Sequence, residues 1–102
     1  MNKVSEKSVQ NRIMRYLNSL PKCRVRCRKG GPENAGEPDI YGCINGQHFE
    51  IEVKAPGGRL RKLQKEKLKR WEETGCLTLT TSDPSEVEAI ITPSGINRFG
   101  KE

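Results

Sequence analysis

Asp39, Glu52 and Lys54 are the residues of this chain whose types and spacing could do chemistry together. Carboxylates are natural ligands for a hard divalent cation such as Mg2+ or Mn2+, which prefers oxygen donors. An ammonium beside them can polarise a water or steady an oxyanion as charge develops. The combination suits phosphodiester hydrolysis, where a cation activates water and neutralises charge on the phosphate. Glu52 and Lys54 lie two apart, so on an extended strand they leave one face while Ile51 and Val53 leave the other. Taken singly, each has an ordinary alternative. Asp39 after Pro38 suits a turn, and Glu50, Glu52 and Lys54 suit a solvent-facing strand edge with a surface ion pair. All of them together at this spacing are harder to explain that way.

Periodicity and turn residues outline the elements that must position these side chains. Ser5 is a reasonable N-cap, after which Glu6, Val9, Ile13, Tyr16, Leu17 and Leu20 share one helical face until Pro21 ends the helix. Gln10 is expected near Glu6. From Cys23 to Arg28 the chain alternates, with Arg24, Arg26 and Arg28 on one side and Cys23, Val25 and Cys27 on the other, as in a strand with one basic face. Residues 29–38 (KGGPENAGEP) form a loop. Two strands follow, about Asp39 to Ile44 and Gln47 to Lys54, joined by the hairpin signal Asn45-Gly46. The hairpin carries Asp39 back beside Glu52.

Ala55-Pro56-Gly57-Gly58 breaks the second strand, either as a plain turn or to let backbone approach backbone near the site. A helix is expected from about Arg59 to Thr74, with Leu60, Leu63, Leu68 and Trp71 on one face, Trp71 in the core and Gly75 closing it. Gln64 and Lys67 fall inside that apolar arc. A core-facing Gln needs hydrogen-bond partners, and a reaction site would supply them. A strand over Leu77 to Thr81 precedes Asp83-Pro84-Ser85-Glu86, which opens a last helix through Ile91. The order α-β-β-β-α-β-α implies an α/β fold, a mixed sheet flanked by helices, in one domain over residues 1–102.

The chain has 102 residues, of which 32% are hydrophobic and 31% charged. A core that thin makes self-association plausible. Its net charge is +6, and the excess is clustered: five of eight residues are basic between Lys22 and Lys29, and eight are basic between Lys54 and Arg70 against Glu66 alone. Such a field points to a polyanion, nucleic acid before membrane, since no apolar span accompanies it. Arg24, Arg26, Arg28, Arg59, Arg61, Lys62, Lys65 and Lys67 are the candidate phosphate contacts, positioning rather than reading sequence. Aromatic content of 5% is too low for an extensive base-stacking platform. Four cysteines without a C-x-x-C pair and a single histidine, His48, give structural zinc little support. Together with an N-terminus lacking an apolar signal, they fit reduced thiols in the cytoplasm.

Pro38-Asp39 followed by Glu52-Val53-Lys54 is the PD-(D/E)-x-K signature of a large nuclease superfamily. More narrowly, Gly36-Glu37-Pro38-Asp39, Glu50-Ile51-Glu52-Val53-Lys54 and the Gly58-to-Gln64 segment resemble the VRR-NUC family of virus-type replication-repair nucleases. That family also includes short stand-alone phage or bacterial proteins. The resemblance runs from Glu6 to about Ile91 and implies a restriction-endonuclease-like core. It implies that Asp39 and Glu52 bind Mg2+ or Mn2+ with the carbonyl of Val53, that Lys54 orients the attacking water, and that Glu6 and Gln64 complete the site. It further implies homodimers and endonuclease action on branched DNA such as four-way (Holliday) junctions in DNA repair. The alternatives are a non-catalytic DNA- or RNA-binding module on the same fold and, within the nucleases, a sequence-specific restriction-type enzyme.

Overall fold

A computed structural model describes residues 4–98. Helix α1 (Glu6–Asn18) begins where Ser5 Oγ accepts the Ser8 amide at 3.0 Å, as an N-cap hydroxyl should. Strand β1 (Cys23–Cys27) pairs antiparallel with β2 (Ile40–Ile44), and β2 pairs antiparallel with β3 (Gln47–Val53). Asn45 (φ 49°) and Gly46 (φ 79°) join the latter two, the left-handed pair that a type I′ hairpin requires. Helix α2 (Lys62–Glu73) then crosses to β4 (Leu77–Thr81), which pairs parallel with β3. Helix α3 (Pro84–Ile90) follows, capped by Asp83, whose carboxylate accepts the Ser85 amide at 2.9 Å. The sheet order is β1-β2-β3-β4, so β3 lies inside it.

One face of the sheet is apolar. Val9, Ile13 and Leu17 of α1 bury themselves against Val25, Ile40, Ile44, Phe49, Ile51, Val53, Leu77 and Leu79, and Val87 and Ile90 of α3 close the same core. The register places Ile40 opposite Ile51, so the next step sets Asp39 opposite Glu52 on the other, polar face. That face carries Arg24, Arg26, Tyr41, Cys43, His48, Glu50 and Glu52, and α2 covers part of it.

Several boundaries differ from expectation. β2 starts at Ile40 rather than Asp39, and β3 ends at Val53 rather than Lys54. Helix α2 begins at Lys62, with residues 59–61 outside it and Arg61 extended as its N-cap. Its apolar arc does not enter a core, for none of its residues is fully buried and Leu63 is exposed. The reason is the polar sheet face beneath it. Trp71 lies half-buried on that face, stacked on His48 with ring centroids 5.3 Å apart, instead of in the apolar core. Cys27, placed by alternation on the apolar side, is exposed at the sheet edge. A short hairpin of β5 (Ile91–Thr92) and β6 (Gly95–Ile96) follows α3, unforeseen because two-residue strands carry no periodicity. It is tied back where the Tyr16 hydroxyl donates to the Ile91 carbonyl at 2.7 Å.

Candidate metal centre

Three elements bring acids to one end of the sheet. Glu6 stands in the first turn of α1, Asp39 immediately before β2, and Glu52 near the end of β3. Each offers a carboxylate oxygen within 4.8 Å of the others. Three hard oxygen donors of this kind match a divalent cation of the Mg2+, Mn2+ or Ca2+ type. Lys54, the residue after β3, places Nζ 3.6 Å from Glu52 Oε2. Gln64 of α2 donates from Nε2 to the same oxygen at 3.2 Å, while its Oε1 accepts the Arg61 amide at 2.8 Å and so fixes the start of the helix. Glu6 and Gln64, expected on inward-facing arcs, both reach the acids, but Glu6 does so from an exposed position and Gln64 from a half-buried one. Gln10 does not; it donates to Cys27 Sγ at 3.1 Å.

Glu52 and Glu50 are both buried on the polar face of an interior strand, which removes the reading of a solvent-facing edge. Their treatment differs. Glu50 is satisfied by Arg28 at 2.6 and 3.2 Å and by His48 at 2.5 Å. Glu52 Oε1 has no hydrogen-bond partner among the described residues, although it is fully buried. A buried unpaired carboxylate oxygen is costly. Burial, reinforced by the neighbouring Asp39 charge and opposed by Lys54, pushes the Glu52 carboxyl from its ordinary 4.5 up to about 8. A cation among these acids would satisfy Oε1 and offset both the burial and the Asp39 charge, so the residues fit the ion.

Asp39 is not an ordinary turn residue either. Its Oδ2 accepts the Val53 amide at 2.8 Å, stitching the two carboxylate-bearing strands together. The segment before it is pinned to α2. Glu37 accepts the Trp71 indole N–H at 2.9 Å and pairs with Lys67 at 3.7 Å. Gly36, at φ 76°, lies so close under Leu63 that a Cβ would meet its Cγ at 2.5 Å. This explains the Gly36-Glu37-Pro38-Asp39 run physically and gives the exposed Leu63 a task.

The basic residues divide into two groups. Arg24, Arg26, Arg59, Arg61, Lys62 and Lys65 are exposed. Lys67 is engaged by Glu37, and Arg28 is held by Glu50 beneath the Tyr41 ring, 4.4 Å from its centroid. A groove of about 320 Å3 opens on the uncovered part of the polar face, with Arg24, Arg26, Tyr41 and His48 in its lining. Glu37 and Glu50 lie in the motif runs, but neither is expected at the site from sequence. The signal for Glu50 was present, since it shares the period-two face of Glu52 and Lys54.

No family model matches the sequence, and no curated protein matches it. Among solved structures the chain is similar to a protein described as "VRR_NUC domain protein", with a TM-score of 0.70 and 17% identity over 88% of this chain and 87% of that one. At that identity the likeness speaks for the fold alone: a small α/β domain with a mixed four-stranded sheet and three helices, as the element order implies. Among the described residues, no helix is long and apolar enough to cross a membrane.

Proposed function

We propose that this chain is a Mg2+- or Mn2+-dependent deoxyribonuclease that hydrolyses phosphodiester bonds in branched DNA, acting as a homodimer. The observation that carries the reading is Glu52: a buried carboxylate with an unpartnered oxygen, converging with Asp39 and Glu6 and flanked by Lys54. Asp39, Glu52 and Glu6, with the Val53 carbonyl, are the groups that hold the ion. When bound, the ion supplies positive charge to the phosphate oxygens and acidifies water. Lys54 donates from Nζ to the attacking water or to the oxyanion that develops on phosphorus. Gln64 keeps Glu52 Oε2 in place, and Asp39 is aligned by the Val53 amide.

The exposed Arg24, Arg26, Arg59, Arg61, Lys62 and Lys65 hold backbone phosphates on either side of the acids, without reading bases. Contacts of that kind favour selection by DNA shape over sequence. The low hydrophobic content, 32% of residues, supports dimerisation. A non-catalytic binder has no use for three convergent acids, because unneutralised carboxylates repel phosphate.

The test is incubation of the protein with labelled four-way junction, flap and linear duplex in Mg2+ or Mn2+. Cleavage that prefers the branched substrates and disappears in EDTA and in Asp39→Ala is expected. Equal cutting by Asp39→Ala would remove the site assignment, and cleavage at one motif in linear duplex would remove the selection by shape. Calorimetry that detects no Mn2+ binding would return the chain to the class of simple binders.

A further inference from the structure

We infer that Arg28 and Glu50 form a positioning couple that sets the location of Asp39 relative to Glu52, an inference that rests on the metal-centre reading above. An ion pair with Glu50 wholly buried and Arg28 only 14% exposed needs a reason, because apolar side chains in such a place are often equally or more stabilising. Here the reason lies in where the remaining donors of Arg28 go. Its Nη1 donates to Glu50 Oε1 at 2.6 Å and also to the Pro38 carbonyl at 2.8 Å, while Nη2 donates to Glu50 Oε2 at 3.2 Å. Its backbone amide donates to the Asp39 carbonyl at 2.8 Å. One residue thereby grips both peptide carbonyls that flank the Asp39 side chain.

The grip matters because of what precedes Asp39. Residues 29–38 form a Gly- and Pro-rich loop, and Asp39 stands at its exit, immediately before β2. Arg28 stands at the loop's entrance, so its contacts close the loop at its base. The guanidinium is in turn confined, lying 4.4 Å from the Tyr41 ring centroid and 5.4 Å from that of Trp71. Glu50, which orients it, sits two residues before Glu52 on the same interior strand. Strand β3 therefore supplies one ligand directly and fixes the other through Arg28. A planar fork is required for this, since a lysine ammonium could pair with Glu50 but could not hold both carboxylate oxygens and the Pro38 carbonyl in one plane.

The experiment has a metal-free arm and a metal arm. In the metal-free arm, the amide proton of Val53, which donates to Asp39 Oδ2 at 2.8 Å, is followed by NMR in 15N-labelled protein. Arg28→Lys keeps a charge opposite Glu50, and the double variant Arg28→Met/Glu50→Met removes the pair without leaving a buried charge unpaired. In both, the Val53 resonance is expected to move toward its position in Asp39→Ala while the melting temperature of at least one stays close to wild type. In the metal arm, Mn2+ affinity measured by EPR titration is expected to fall about 10-fold or more, the usual effect of removing a group that orients a ligand. A Val53 resonance that coincides with wild type in a folded variant overturns the inference, and so does undiminished Mn2+ affinity. If the wild type itself binds no Mn2+, the metal-centre reading fails, and the Val53 resonance alone decides whether the couple positions Asp39.

Discussion

Replacing Glu52 by glutamine in protein stripped of divalent cations is expected to stabilise the fold at alkaline pH. The side chain is 1% exposed, and its Oε1 has no partner among the described residues. Burial first, and the Asp39 charge second, raise its folded-state pKa from 4.5 to about 8. Since the folded value lies above the unfolded one, the native chain binds the extra proton between those limits. Metal-free stability therefore declines as pH rises from 4.5 to about 8 and stays level above it. At about 1.36 kcal/mol per pH unit, the full penalty is on the order of 5 kcal/mol. Local relaxation around a buried charge leaves an observable part of about 2 kcal/mol or more.

The amide introduced by Glu52→Gln would keep an acceptor for Gln64 Nε2 and offer Asp39 a donor, so the variant recovers most of that sum. The assay is urea denaturation in EDTA of both proteins from pH 4 to 9. The difference should be close to zero at the acid end and grow to a plateau of at least about 2 kcal/mol, roughly a 10 °C gap in melting temperature for a domain of this size. Mn2+ should then reverse the order, stabilising wild type by mass action and leaving Glu52→Gln nearly unmoved. A wild type that is the more stable protein in EDTA at pH 8.5, or a difference independent of pH, would refute the reasoning.

Three other outcomes are expected. Lys54→Met should lower the single-turnover cleavage rate by about 10²–10³ while Mn2+ affinity stays level or rises, because a competing positive charge has gone; weaker binding with an unchanged rate would place Lys54 outside the reaction. Gly36→Ala should destabilise the fold by about 1–3 kcal/mol in urea denaturation, since it meets both a φ of 76° and the Leu63 side chain; an unchanged midpoint would show that the segment is not held there. Arg24→Ala and Arg26→Ala should each weaken DNA binding and reduce the slope of log K against log salt by about 0.9, whereas an unchanged slope would mean that the groove they line carries no phosphate.

Much of the site was legible because its parts obey local rules. Asn45-Gly46 requires a tight hairpin, and the count of residues on either side sets Asp39 against Glu52. Glu6 shares the helical face of Val9 and Ile13 yet stays exposed at the start of α1, from where its carboxylate reaches the other acids. Gln64 reaches Glu52 from a half-buried place on α2, although the arc that carries it enters no core. The fold class follows from the same signals, because alternation, helical periodicity and caps are properties of neighbouring residues. The misreadings have a common origin. Leu63 and Trp71 were assigned to a core because an apolar arc on a helix normally faces one, yet α2 lies on a sheet face made of His48, Glu50 and Glu52.

The amino-acid sequence by itself determined which side chains share a face and which strands are adjacent: Glu50, Glu52 and Lys54 on one side of β3, and Asp39 across the hairpin. Period-two alternation is silent on whether that side meets water or protein. Only the tertiary structure decided it, through the parallel pairing of β4 beyond β3 and the crossover of α2 above it, which place β3 inside the sheet and cover its polar face at Glu50 and Glu52. That enclosure turns an ordinary charged strand into a buried, under-satisfied carboxylate, and it separates the fully paired Glu50 from the unpaired Glu52 two residues away. The physical reason is desolvation. A carboxylate's affinity for a cation or a proton depends on how much water the fold has removed, and no short-range pattern records that.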